Sequence, residues 1–499
     1  MCIYENNNHI ETMKSIVIDT GLDYCYLYSF KMKRLIIIDN VIGHYVKLYL
    51  TNGMSSKSVC REIYRKEKER YKIRKKFNFF LDQGFLDAAD NITVNGSLSE
   101  NDIEMAKSNL ETITFELTKK CNLNCTYCVY NDMYESSEEN IGCEMNLATA
   151  KAVLDYFFAL FNGGNSISEH KTINIGFYGG EPLLRFDLIS DIVNYIEKLK
   201  NDRLTIAYNI TTNGLLLDKY VDFLAFHNFN ILISLDGNSE CSSYRKTRNG
   251  TDSFITVYKN AQCLCEKYPD FFAKRVRFNT VLHDKNPINK SVLFIKEKFN
   301  KIPMISTLTR TNLRKDRLNA YKMMYRDLTL DIEKYKGEIG RHILADIDPA
   351  VACVYKFIES HIGYNFKHFS DMLFNRNSNY LPTGSCSPFN FKLFVSADGK
   401  FHPCEKVGYE YSLGYVSSNN RVIIDNAKIL KKYNEQYYEK IRAKCEKCYR
   451  IQSCPICVFH DGLDCTPFDC EMIVKYFKFI IHTIEEYPGI FLKTYNIQK

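Results

Sequence analysis

Three cysteines lie within one eight-residue stretch, CNLNCTYC, as Cys121, Cys125 and Cys128. Thiolates are soft ligands, and three of them are one short of a closed tetrahedral zinc site. A four-iron cluster held by three cysteines keeps one iron open for another ligand. A second group, Cys386, Cys404, Cys445, Cys448, Cys454, Cys457, Cys465 and Cys470, fills the last quarter of the chain. The other eight of the nineteen cysteines are scattered singly and read as small buried or surface side chains. Two adjacent glycines and a carboxylate stand in GFYGGEPLL, at Gly179, Gly180 and Glu181. Such glycines let a backbone approach a ligand closely, and the carboxylate can receive an ammonium group. A Walker-type phosphate loop is excluded, because no Gly-Lys-Ser/Thr follows.

The elements that must position these residues start at Glu111. TITFELT, TINIGFY, LTIAYNI, NILISLD, RVRFNTVL and KIPMISTL read as six strands, with amphipathic helical patterns between the earlier ones. This alternation predicts an α/β fold with a parallel sheet or barrel, whose ligands gather at the carboxyl ends of the strands. The CNLNCTYC, GGEP, TTNG and SLDG segments each end one of the first four strands, so they share one rim. Before this region, residues 24–50 suggest a hairpin followed by further strand or helix. The run Lys57 to Lys76 reads as one helix with ten Lys/Arg against three Glu, which equals the net charge of the whole chain, +7. Residues 91–109 read as a polar linker, and residues 310–380 as a helical bridge.

With 45% hydrophobic and 25% charged residues over 499 positions, the composition is that of a soluble protein with several domains. No apolar stretch reaches the roughly 18 residues of a membrane span. The opening MCIYENNNHIE lacks the parts of a signal peptide. The expected setting is the cytoplasm, where clustered thiols bind metal or do redox chemistry more often than they form disulfides. A nucleic-acid partner is not expected, since charge outside the basic run is nearly balanced.

On these residues the chain resembles the radical S-adenosylmethionine (SAM) superfamily. Its CxxxCxxC pattern is met by Cys121, Cys125 and Cys128, with the customary aromatic at Tyr127. The resemblance implies a partial (β/α)6 TIM-type barrel over 101–310, a 4Fe–4S cluster whose open iron chelates SAM, and a 5′-deoxyadenosyl radical. It assigns Gly179, Gly180 and Glu181 to the methionine amino end, Asn213 of the TTNG motif to cofactor binding, Ser234 to a ribose or carboxylate contact, and Arg245 to the methionine carboxylate. The His-Asp pair usual before that arginine is replaced by Ser-Ser-Tyr.

Residues 381–499, with Gly399 between Cys386 and Cys404, resemble a SPASM domain and its two auxiliary 4Fe–4S clusters, although two closed zinc sites also suit CxxC pairs. By this resemblance one cluster takes Cys445, Cys448, Cys454 and Cys470, and the other Cys386, Cys404 and Cys457. Either Cys465 completes the second, or an open iron there binds a substrate thiolate. Glu405 falls where relatives carry a general base. Residues 1–100 resemble the winged-helix-like, PqqD-like element that receives the leader of a precursor peptide, and such leaders are often acidic. The implied activity is a peptide maturase forming a thioether or, second, a carbon–carbon crosslink, fed by flavodoxin or ferredoxin. The alternatives are an anaerobic sulfatase-maturing enzyme and, in another class, a zinc-bound peptide-binding module.

Overall fold

The computed structural model describes residues 15–19, 24–29, 31–32, 34–88, 97–134, 142–163, 170–309, 313–348, 350–351, 388–389, 392–405, 411–435, 478–483 and 486. The chain opens with an antiparallel sheet of β1 (Ile16–Asp19), β2 (Tyr24–Ser29) and β3 (Arg34–Asp39), in the order β1-β2-β3. Three helices follow, α1 (Asn40–Leu50), α2 (Ser56–Lys66) and α3 (Arg70–Asp82). They bury Tyr45, Val46, Val59, Ile63 and Phe77 against Leu27 and Ile38 of the sheet. From β1 and β2, Ile18 and Tyr28 instead join Ile288, Val292, Ile332 and Ile339 of the main body.

The basic run is two helices rather than the single one expected. Glu67 ends α2 in an extended conformation, and α3 restarts at Arg70. The cause lies in the apolar spacing. Val59 and Ile63 are four apart, as are Ile73 and Phe77, but ten residues separate Ile63 from Ile73. In one continuous helix ten residues would turn the second pair about 80° from the first. The break lets both pairs face one core.

The 91–109 stretch is also not all linker. Helix α4 (Glu100–Ser108) begins in a capping box, in which Ser99 Oγ accepts from Asp102 N at 3.2 Å and Ser99 N donates to Asp102 Oδ2 at 2.8 Å. Those two reciprocal bonds start a helix within a polar sequence.

Six parallel strands then run in chain order, β4 (Thr112–Thr118), β5 (Lys171–Gly179), β6 (Leu204–Thr212), β7 (Asn230–Ser234), β8 (Val276–Leu282) and β9 (Met304–Thr307). Helices α5 (Leu147–Asn162), α6 (Phe186–Leu199), α7 (Leu217–Phe226), α8 (Phe254–Lys267), α9 (Pro269–Arg275) and α10 (Ile288–Phe299) connect them. Alternation divides each strand between two faces. Ile113, Phe115 and Leu117 of β4, with Ile173, Ile175 and Phe177 of β5, pack into the main core with the helices. Thr114, Glu116 and Tyr178 are thereby left on the inner face.

Helices α11 (Leu318–Met324), α12 (Leu328–Ile339) and α13 (Arg341–Ile347) follow β9. The cysteine-rich region returns to the sheet. Its β10 (Lys392–Val395) pairs in parallel with β4, in the register Lys392↔Thr112, and β11 (Lys400–His402), β12 (Gly414–Val416) and β13 (Val422–Ile423) extend the sheet antiparallel to ten strands. Helix α14 (Asn426–Asn434) clamps α4, with Asn434 Oδ1 accepting from Leu98 N at 2.9 Å and Asn426 Nδ2 donating to Glu104 at 2.7 Å. No described helix is long and apolar enough to cross a membrane.

Glu116 joins the two halves of this sheet. Its buried carboxylate accepts Tyr130 O–H at 2.7 Å and Ala397 N–H, in the β10–β11 turn, at 2.9 Å. Replacing Glu116 by Ala strands both donors, a loss of about 2–4 kcal/mol on an unfolding curve in denaturant. Glu116→Gln, which keeps an acceptor for Ala397, is expected to lose less. Equal and small losses for the two variants would deny the joint.

Candidate active site

The cysteine loop leaves β4 at a bulge, where the register with β5 slips between Glu116 and Thr118. Its stem rests on the GGEP loop backbone to backbone. Gly180 N donates to Thr118 O at 2.8 Å, and Glu181 N to Lys120 O at 3.0 Å. A Cβ on Gly179, whose φ is +134°, would fall inside contact distance of Thr118 O, and one on Gly180 inside that of Lys120 O. The two glycines therefore admit the chain's own cysteine loop.

Glu181 is fully buried and turned into the fold. Its carboxylate accepts Thr212 O–H at 2.7 Å, Asn213 N–H at 2.7 Å and Leu183 N–H at 3.0 Å, fastening the second strand-end loop to the third. Burial pushes this carboxyl up to about 7 from its ordinary 4.5, against the lowering effect of those donors. Asn213 carries the connection onward. Its Nδ2 donates to Asn122 Oδ1 at 2.7 Å and lies 3.6 Å from Cys121 Sγ. Ser234 ends β7, half-buried on the inner face beside Asn279 of β8.

Arg245 is buried and committed to a carboxylate of the chain itself. Its Nε and Nη2 donate to Asp236 Oδ2 and Oδ1 at 2.9 and 3.1 Å. Asp236 also accepts Val281 N–H at 2.9 Å and the Tyr127 hydroxyl, so the aromatic within the cysteine motif is anchored to the end of β7. Burial alone would raise the Asp236 carboxyl, but the Arg245 guanidinium, aided by His283, brings it down to about 2. Asp236, His283, Thr212 and Glu116 were not among the residues singled out from sequence. The strand-end tetrapeptide SLDG pointed at Asp236, and His283 follows directly on β8.

Burial pushes the Cys121 thiol up to about 11 and Cys125 to about 12, and it raises Cys128. The three lie near enough for Cys128 to act electrostatically on Cys121, and for Cys121 and Cys128 both to act on Cys125. Without a cation such thiols stay protonated and none is in a disulfide. A bound metal centre supplies the charge that makes them thiolates. Among the described residues no three His, Cys, Asp or Glu side chains are gathered for a single ion. A cluster asks for a different arrangement, one thiolate to each iron. Arg245 lowers both Cys125 and Cys128, which also favours their thiolate forms. The loop thus fits a 4Fe–4S cluster. The half-buried Asn209, Thr211, Ser234 and Asn279 make the adjoining inner face polar, which suits SAM.

Of the second cysteine group, Cys404 is described, two residues past β11. Cys386, Cys445, Cys448, Cys454, Cys457, Cys465 and Cys470 lie outside the described residues. The neighbouring Glu405 accepts Lys392 Nζ at 2.6 Å, and after burial its charge is the next cause of the raised Tyr178 hydroxyl on the inner face.

The three half-buried cysteines thus stand at the carboxyl ends of a parallel sheet, beside a polar inner face. Residues 115–289 match the Radical SAM superfamily, so the chain carries a radical SAM domain, which implies a 4Fe–4S cluster and SAM. It is similar to the radical SAM cyclopropyl synthase TigE of Paramaledivibacter caminithermalis, 29% identical over 177 residues, a match spanning 35% of each chain. Similarity to the cysteine-type anaerobic sulfatase-maturating enzyme of Clostridium novyi is 25% identity over 337 residues, 66% of this chain and 83% of that enzyme. In fold it resembles the solved structure of native anSMEcpe with bound AdoMet, with a TM-score of 0.50 and 19% identity over 77% of this chain and 99% of that one.

Two outcomes check this site. In protein whose eight carboxy-terminal cysteines are replaced by alanine, Gly180→Ala should abolish iron uptake on anaerobic reconstitution, read as iron content and absorbance near 400 nm, while the far-ultraviolet circular dichroism is kept; uptake equal to that of the parent variant would refute the backbone contact. For Glu181, the folded carboxyl holds its proton to higher pH than the unfolded one, so stability falls as pH rises from 4.5 to about 7. Relative to Glu181→Gln, the apoprotein should lose stability across that window, and parallel curves would contradict the assignment.

Proposed function

We propose that this protein is a radical SAM enzyme that acts on a ribosomally made precursor peptide, binding its leader through the amino-terminal unit. When bound, the cluster supplies the electron that cleaves SAM to methionine and the 5′-deoxyadenosyl radical. The 5′-deoxyadenosyl group would leave as 5′-deoxyadenosine with one hydrogen of the core peptide, and closing a bond from that peptide carbon to a cysteine sulfur would release one proton and one electron, the electron to an auxiliary cluster held by the carboxy-terminal cysteines. A thioether to a peptide cysteine is the first product class and a carbon–carbon bond the second. Gly179, Gly180, Asn213, Ser234 and Arg245 shape the SAM side of the site, and Glu405, on the Tyr178 side, is the candidate base. The cysteines of the last quarter would hold two auxiliary clusters in a SPASM arrangement.

The observation that carries the peptide reading is a groove of about 390 Å³ between the outer strand β3 and helix α3. β3 pairs with β2 on one side only among the described strands, so its other edge presents unpaired backbone groups. Ile37 and Phe79, 65% and 53% exposed, offer apolar contacts there, and Lys72, Lys75 and Lys76 line the same groove with Asp39. Lys76 pairs with Asp39 at 2.7 Å and Lys72 with Glu69 at 3.0 Å, so that the three lysines outnumber the one lining acid. An extended peptide added at such an edge takes main-chain hydrogen bonds for affinity and side-chain pockets for choice. The lysines select an acidic one.

A second reading, maturation of a sulfatase by oxidation of its active-site Cys or Ser, is favoured by the similarity that spans 83% of the Clostridium novyi enzyme.

The two readings separate in one assay. Reconstituted protein with dithionite and SAM should release 5′-deoxyadenosine with a peptide encoded beside it. Lys72→Glu with Lys75→Glu should weaken binding of that peptide about tenfold at low salt, and less at high salt. Turnover with a sulfatase-derived cysteine peptide alone, insensitive to the two lysines, would replace the first reading by the second.

A further inference from the structure

The cysteine loop has two sides, and the polar inner face is only one of them. Among the described residues, one stretch of backbone, 243–250, lies along its outer side. Asn124 N donates to Lys246 O at 2.7 Å, Thr126 N to Tyr244 O at 3.2 Å, and Arg248 Nε to Cys121 O at 2.7 Å, while Leu123 forms a bridge with Thr247. This layer lies between the loop and solvent, and Asn124 and Thr126 of the loop itself are exposed beside it. That layer is cationic.

Lys246, Arg248 and Lys285 surround an open depression of about 340 Å³, which Ser243, Tyr244 and Thr247 also line. All three cations are exposed. None forms an ion pair among the described residues, Lys285 lying 4.3 Å from the centroid of the Tyr244 ring. Two acids stand close by without pairing with the three cations: Asp284 accepts the Tyr244 hydroxyl at 3.2 Å, and Asp252, bridged to Lys246 through the backbone, accepts Ser239 Oγ at 3.2 Å and Phe254 N–H at 2.8 Å. An enclosed site for a small anion would bury its charges. Exposed cations on a broad rim instead steer a large acidic partner, in a salt-dependent way.

We infer that the rim of Lys246, Arg248 and Lys285 is the docking surface for a small acidic one-electron carrier protein. The carrier is oxidised by one electron, which passes through the 243–250 layer to the centre held by Cys121, Cys125 and Cys128. This inference rests on the radical SAM reading, because that chemistry is what requires an electron at the cysteine loop. It also separates two acidic partners on one molecule: the peptide goes to the groove beside α3 and the carrier to the rim over the cysteines.

The test uses the full-length reconstituted protein, an acidic flavodoxin as probe, and a charge-reversed pair, Lys246→Glu with Lys285→Glu. Arg248 is left in place because it holds the cysteine loop. Flavodoxin binding, measured by calorimetry at low salt, should weaken about tenfold in the pair. The rate of SAM cleavage driven by flavodoxin should fall with it, and the rate driven by dithionite should stay at the wild-type value. Reversal of Arg61 and Arg74 on the amino-terminal helices should leave flavodoxin binding unchanged. The docking surface is overturned if wild-type protein shows no salt-sensitive binding, if the Lys246/Lys285 pair binds normally, if the Arg61/Arg74 pair weakens binding instead, or if dithionite-driven cleavage falls equally. Intact, rim-dependent binding by a protein that cleaves no SAM with dithionite would support the surface and overturn the radical SAM reading.

Discussion

The packing of Gly179 and Gly180 against Thr118, Lys119 and Lys120 is the contact on which the site depends. A loop that presents three thiols in one place must hold its shape, and eight residues cannot do so alone. Here the stem lies flat on a neighbouring strand end, where two N–H groups donate to two carbonyls and no side chain intervenes. Any Cβ at those glycines would lift the loop away. The bulge in β4 opposite this point turns the chain from the sheet into the loop.

Three buried carboxylates then tie the strand ends to one another. Glu116 joins β4 to the segment after Cys128 and to the β10–β11 turn. Glu181 joins the second loop to the third. Asp236 joins the end of β7 to Tyr127, Arg245 and β8. Burying a carboxylate is costly unless its oxygens are satisfied, and each of these accepts at least two hydrogen bonds. The result is a rim in which each loop is positioned by its neighbour, with the cysteine loop at the centre.

Much of this was legible in the residues. The six strands alternate apolar and polar positions clearly enough to be read, and the cysteine spacing together with GGEP, TTNG and SLDG placed the chemistry on one rim. The division of labour among the site residues was not legible. Glycine pairs and carboxylates at strand ends suggest ligand contacts, and that Gly179, Gly180 and Glu181 also hold the chain's own loop shows only in the structure. Arg245 reads as a free cation until Asp236, nine residues earlier in sequence, is seen to face it. The pairing of Lys392 with Thr112 joins positions too far apart for any local pattern to reveal. The break in the basic run turns on the ten-residue interval between Ile63 and Ile73, visible in principle but masked by the unbroken charge.

The claim at the centre of this account is that Cys121, Cys125 and Cys128 hold one cluster with an iron open to SAM. Electron paramagnetic resonance of the dithionite-reduced protein, with all eight cysteines of the carboxy-terminal group replaced by alanine, tests it most directly. The account predicts a single 4Fe–4S signal whose shape changes when SAM is added. A protein that takes up no iron–sulfur cluster, or one whose signal is indifferent to SAM, would contradict it.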